Sequence, residues 1–192
     1  MTEDKISVAV IIGSTRRGRF GPVVANWYAA ELGGRDDVDV DIIDLAEAKL
    51  PETIGDFHEE PEAPVTELAP RMAAADAFVV VTPEYNHSYP ASLKTAIDAY
   101  LDEWKAKPVA LISYGGMAGG VRAAEHLRQV FPEVHATTIR NTLSFHNCYD
   151  LFDDEGQPTD PETATAAKGM TDQLLWWARA LRTARTQETY DF

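Results

Sequence analysis

One stretch constrains this chain more than any other: a buried-type strand that runs through a polar, glycine-bearing loop directly into a helix. It reads Val8-Ala9-Val10-Ile11-Ile12-Gly13-Ser14-Thr15-Arg16-Arg17-Gly18-Arg19-Phe20-Gly21. Ile6 to Ile12 is apolar on both faces, as a central strand of a parallel sheet should be. A strand-to-helix turn exposes free backbone N–H groups and the positive end of a helix dipole. The chain carries a net charge of −14, yet Arg16, Arg17 and Arg19 crowd into this one loop. With Ser14 and the glycines they suit one phosphate monoester, held by Ser14, backbone amides, and Arg16 with Arg19. The competing reading is a charged surface turn.

The rest of the chain repeats the alternation. A helix starts at Gly21-Pro22, carries Val23, Val24, Trp27 and Leu32, and stops at Gly33-Gly34. Val38 to Leu45 alternates like a half-exposed edge strand. Residues 46 to 64, with three prolines and several acids, read as a long surface loop, followed by a helix to about Ala75. Ala77 to Thr82 is a buried strand; a turn, Pro83 to Ser88, leads to a helix from Pro90 to Trp104 with Leu93, Ile97, Tyr100, Leu101 and Trp104 on its buried face. Pro108 to Ser113 is the next strand, Tyr114 to Gly120 a flexible loop, Val121 to Val130 a helix, and Glu133 to Ile139 the last strand. An acidic loop over 150–161 precedes a final helix from about Pro161 to Arg185, with Leu174, Leu175, Trp177, Ala178 and Leu181 turned inward and a loose tail over 186–192. Of Trp176 and Trp177, one is expected in the core. Five strands alternating with helices imply right-handed crossovers and an α/β, doubly wound parallel sheet with helices on both faces, in a single domain over 1–192.

Charge and composition exclude several classes. The acidic balance argues against nucleic-acid binding, which needs basic surface to neutralise phosphates. No apolar run reaches membrane-spanning length, and Met1 to Lys5 lacks the apolar core of a signal peptide, so a soluble, cytoplasmic protein is expected. The five histidines form no HxH or HExxH pair, and the acids of 150–155 lack calcium-loop spacing, so no metal site is expected. The sole cysteine, Cys148, reads as an ordinary buried thiol.

In doubly wound sheets ligands bind beyond the carboxyl ends of the strands. Three loops rich in Gly, Ser, Asn and Tyr fall there: Gly13 to Gly21, Pro83 to Ser88, and Ser113 to Gly120. The first has neither the lysine of a P-loop nor the GxGxxG spacing of a dinucleotide fingerprint. The second offers Pro83, Glu84, Tyr85 and Asn86, where a flat heterocycle can rest on backbone N–H groups with Asn86 at a ring edge; alternatively Tyr85 packs and Glu84 is solvated. His87 either touches substrate or is a solvent-exposed turn residue. The glycines of the third loop allow close approach of a planar ring, or make a plain loose turn.

Gly13-Ser14-Thr15-Arg16, Thr82-Pro83-Glu84-Tyr85-Asn86 with Pro90, Leu93 and Lys94 after it, and Ser113-Tyr114-Gly115-Gly116 together resemble the NADPH-dependent FMN reductases, a flavodoxin-like family that includes quinone, azo-dye and chromate reductases. The resemblance spans roughly residues 5 to 140. It implies strand order 2-1-3-4-5 and non-covalent FMN. It puts Ser14, Arg16, Arg19, Phe20 and Gly21 at the flavin phosphate. It puts Pro83, Glu84, Tyr85 and Asn86 at the isoalloxazine and ribityl chain, and Ser113, Tyr114, Gly115 and Gly116 on the other side of the ring. Some family members carry Ser and Asn where this chain has Arg19 and Gly21. The family's dimers, and dimers of dimers, imply a homodimer or homotetramer.

The activity implied is hydride transfer from NADPH or NADH to bound FMN and onward to a small acceptor (a quinone, flavin or azo compound), in ping-pong order and with no catalytic side chain, since the cofactor carries the chemistry. The rival is a flavodoxin-type electron carrier serving protein partners, which the negative charge suits and the arginines of the first loop do not. A flavin-free binding module of the same fold is the third reading.

Overall fold

Five parallel strands form the frame: β1 (Ile6–Ile12), β2 (Val38–Asp44), β3 (Ala77–Pro83), β4 (Pro108–Tyr114) and β5 (Thr137–Phe145), in the order β2-β1-β3-β4-β5. The computed structural model describes residues 5–53, 55 and 58–192. The expected acidic start over Met1 to Asp4, and Ile54, Asp56 and Phe57 of the expected 46–64 loop, lie outside the described residues.

Side chains alternate between the two faces of the sheet, so each face builds its own core. Val8, Val10, Ile12, Val79, Val81, Ala110 and Ile112 pack under α1 (Gly21–Gly33) and α6 (Glu162–Gln187). Ala9, Ile11, Phe78, Val80, Val109 and Leu111 pack under α3 (Ala63–Ala74), α4 (Ala91–Asp98) and α5 (Val121–Val130). The second core centres on Trp104, fully buried between Phe78 and Phe131 at ring separations of 4.3 and 5.3 Å. A four-residue helix, α2 (Leu45–Ala48), follows β2 where a loop was expected, its first turn capped by Asp44.

Three other expectations need correction. The helix after Pro90 ends at Asp98 rather than Trp104; the chain leaves helical geometry so that Tyr100 and Trp104 can enter the core while Leu101 stays 47% exposed. The last strand runs Thr137–Phe145, not Glu133 to Ile139. Phe131–Val134 is a 3-10 turn, opened by Pro132 and closed by left-handed His135, and a bulge opposite Ala110 shifts the β5 register. In α6 the buried stripe is Ala167, Met170, Thr171, Leu174, Leu175 and Ala178, an i, i+3, i+4 spacing that leaves both Trp176 and Trp177 exposed, at 64% and 36%, and Leu181 half-buried. The tail is also less free than expected: the Tyr190 hydroxyl lies 3.1 Å from His135 Nδ1. Among the described residues no helix is long and apolar enough to cross a membrane.

Candidate functional site

The carboxyl ends of β1, β3 and β4 lie side by side, and their three exits form one surface. The first exit is anchored at its base: the Gly13 amide donates to Val81 O at 2.9 Å, and Ser92 Oγ donates to Gly13 O at 2.7 Å. Beyond it Ser14 is completely buried. Its hydroxyl accepts from the Arg16 amide at 3.3 Å and shares a 2.6 Å hydrogen bond with Tyr85 Oη. The amides of Thr15, Arg17 and Gly18 donate to no acceptor among the described residues. Arg16 and Arg17 point to solvent, whereas Arg19 is turned to Asp44, with which it is ion-paired, and its Nε is buried and unpartnered. Phe20 packs edge-on against Tyr149 and Phe152. Gly21 begins α1.

The second exit folds back on itself. Tyr85 and Ser88 exchange backbone hydrogen bonds of 2.8 and 3.1 Å around Asn86 and His87, whose φ values are +50° and +71°. This is a two-residue turn of type I′ character, and it holds Tyr85 in one orientation. Asn86 and His87 are exposed at the tip. Glu84 points away from the cleft: its carboxylate accepts from the Arg122 amide at 3.2 Å and from Arg122 Nη1 at 2.5 Å, and Ser88 Oγ lies 3.0 Å from His126 Nδ1. The turn is thereby tied to the first two turns of α5.

The third exit is strapped rather than loose. Ser113 Oγ and Ser144 Oγ both donate to Gly119 O at 2.8 Å, and His146 Nδ1 lies 2.8 Å from Met117 O. The amides of Asn147 and Cys148 donate to the carbonyls of Gly116 and Gly115 at 2.8 and 3.0 Å. A side chain at Gly116 would meet no atom within 4 Å. The backbone is therefore open on one side at Gly116, whereas a Cβ on Gly115 would lie 3.5 Å from Gly120 N. Cys148 is fully buried and its thiol is pushed up by burial. Pro83 closes β3 at the base of the cleft and is buried.

Residues 6–150 match the family described as NADPH-dependent FMN reductase. The chain belongs to that family. It is 36% identical to an NAD(P)H-dependent FMN reductase of Schizosaccharomyces pombe over 130 residues, which are 62% of this chain and 62% of that one, just under two thirds of either. It is 35% identical to a quinone reductase of Escherichia coli over 133 residues, 66% of this chain and 70% of that one. Among solved structures it is similar to FerB, a flavoenzyme NAD(P)H:(acceptor) oxidoreductase from Paracoccus denitrificans, with a TM-score of 0.73 and 27% identity over 91% of this chain and 98% of that one. The family is one of oxidoreductases, with FMN and a reduced nicotinamide as its cofactors, and the flavodoxin-like strand order agrees with it.

The exits offer two chemically different surfaces. Free amides, Ser14 and a helix N-terminus suit the dianionic phosphate. The open backbone at Gly116 leaves room for a planar ring. A concave volume of about 640 Å³ lies along β5 between Glu125, Arg128 and Trp177 and includes no residue from the strand exits. Ser92, Arg122, His126, Ser144 and His146 support the three exits, and no motif marked them. Ser144 and His146 were hidden because the last strand was expected to end at Ile139.

Proposed function

We propose that the protein is an NAD(P)H-dependent FMN oxidoreductase that reduces a small acceptor such as a quinone, a free flavin or an azo compound. FMN, when bound, would supply the two-electron chemistry that links nicotinamide to acceptor, so that NADPH, a proton and a quinone become NADP⁺ and a hydroquinone. In this reading the chain's residues bind and orient. Ser14, the amides of Thr15, Arg17 and Gly18, and the exposed guanidinium group of Arg16 hold the phosphate, with Phe20 and Gly21 beside them, while Arg19 stays paired with Asp44. The backbone of Pro83 to Asn86 holds one side of the ring, and Ser113, Gly115 and Gly116 the other. Glu84 acts at one remove, fixing the second exit to α5.

The observation that carries this reading is the convergence of unpaired amides at one end of the cleft and open glycine backbone at the other, on exits fixed by side-chain straps. Donor and acceptor would be served in turn at the same site. Initial rates measured against NADPH at several fixed quinone concentrations then give parallel double-reciprocal lines. Intersecting lines would mean that both substrates bind together and would overturn the ping-pong order. A homodimer or homotetramer working in the cytoplasm is part of the same reading. The half-exposed Leu101 and Ile42 are apolar surface such an interface would cover.

A further inference from the structure

Tyr114 ends β4, is 4% exposed, and has a buried hydroxyl with no well-formed hydrogen bond among the described residues. Ser14 is its polar neighbour, but the Ser14 hydroxyl is already held by Tyr85 at 2.6 Å. Burial, which outweighs the pull of Ser14, raises the Tyr114 phenol well above its ordinary value and keeps it a donor at neutral pH. That hydroxyl lies against the first residue of α1. A Cβ built on Gly21 would sit 2.8 Å from Tyr114 Oη and 3.1 Å from Ile12 Cγ2. The phenol thus fills the space that a side chain at Gly21, the first residue of α1, would occupy. An unpartnered buried donor in that position requires an acceptor.

Tyr85 completes the arrangement. A hydroxyl oxygen has two lone pairs and one proton. When Ser14 Oγ accepts from the Arg16 amide and from Tyr85 Oη, both lone pairs are used and its proton is left to point at an anion. The type I′ turn over Asn86 and His87 is what keeps Tyr85 in reach.

We propose that both phenols serve the phosphate end of the cleft and select the phosphorylated flavin over riboflavin: Tyr114 donates to a phosphate oxygen, and Tyr85 is a positioning residue that aims the Ser14 proton at the same anion. This rests on the FMN reading above and moves two residues away from the ring, where the sequence alone puts them.

The test is the dissociation constant of apoprotein for FMN and for riboflavin, read by flavin fluorescence quenching, in the wild type, Tyr114→Phe and Tyr85→Phe, with a thermal melt of each apoprotein. Loss of a hydrogen bond to a charged group weakens FMN roughly tenfold in each variant and leaves riboflavin within about twofold. Tyr114→Phe apoprotein melts no lower than wild type, because the hydroxyl removed has no partner. Equal weakening of both flavins, or of neither, overturns the proposal, as does a Tyr114→Phe apoprotein that melts well below wild type. Wild-type protein that binds neither flavin removes the FMN reading itself. Wild-type protein that prefers FMN, with the preference intact in both variants, removes this inference alone.

Discussion

Two glycines of the third exit respond in opposite ways to the same added methyl group. Gly120 has φ +80° and ψ 10°, and a Cβ there would lie 2.8 Å from Ser113 Cβ, 2.9 Å from Tyr114 N and 3.0 Å from Tyr114 O. The left-handed conformation costs alanine about 1–2 kcal/mol. The contacts are with β4, which is buried along its whole length and cannot retreat, so overpacking adds roughly 1–2 kcal/mol. Gly120→Ala therefore destabilises by about 3 kcal/mol, a fall in Tm of roughly 6–12 °C for a chain of this size. Gly116→Ala meets nothing within 4 Å and has no positive φ, so its apoprotein is unchanged or gains up to about 1 kcal/mol from the stiffer unfolded chain. The Gly116 methyl instead projects where the flavin ring is proposed to lie and weakens FMN. Urea titrations of both apoproteins, with FMN titrations alongside, separate the two effects. A Gly120→Ala protein as stable as wild type would refute the strapped geometry of this exit. A Gly116→Ala protein that binds FMN normally would refute the placement of the ring.

Glu84→Gln keeps the shape of the second exit but removes the charge that holds Arg122. Because the Arg122 side chain is 46% exposed, the pair adds little to global stability, and the expected result is an unchanged melt with FMN held several-fold less tightly, measured by fluorescence quenching. Stability should also rise with alkaline pH. Lys107 donates to Met72 O and Ala73 O, but burial, with Arg185 nearby, depresses its ammonium to about 8. Between pH 8 and 10 the unfolded chain keeps this proton and the folded chain releases it, so Lys107 raises the unfolding free energy with pH by at most about 3 kcal/mol, offset in part by the buried Cys148 thiol, whose raised value acts in the opposite sense. Above pH 10 the trend reverses, because burial raises Tyr28 and Tyr100 to about 12 and the folded state then holds the extra protons. Urea midpoints across pH 7 to 11 check this, and a midpoint that falls steadily from pH 8 to 10 would refute the buried charged lysine.

The strands whose both faces are buried were legible, because five apolar residues in a row leave little choice: β1, β3 and β4 match their expected bounds to within a residue. β5 was not, because an edge strand carries Arg140, Asn141, Thr142 and Ser144 among its buried positions and a bulge breaks its alternation. The helix after Pro90 read too long because Tyr100 and Trp104 keep a helical spacing although the backbone has already turned. At the site, the three exits were visible as loops of small polar residues. What each side chain does was not, because it depends on partners far away in sequence. Glu84 finds Arg122, Arg19 finds Asp44, and Tyr85 finds Ser14 only once the crossovers have brought the strand ends together.

FMN binding by this fold, and electron flow through it from a reduced nicotinamide, are both read from the visible spectrum of the purified protein with and without added FMN, followed by NADPH under anaerobic conditions. The expected result is a protein-bound flavin spectrum that bleaches within seconds of NADPH addition and returns when a quinone is supplied. A bound flavin that stays oxidised would contradict the reductase and point to a carrier reduced by a protein donor, and a colourless protein that takes up no FMN would contradict the site itself.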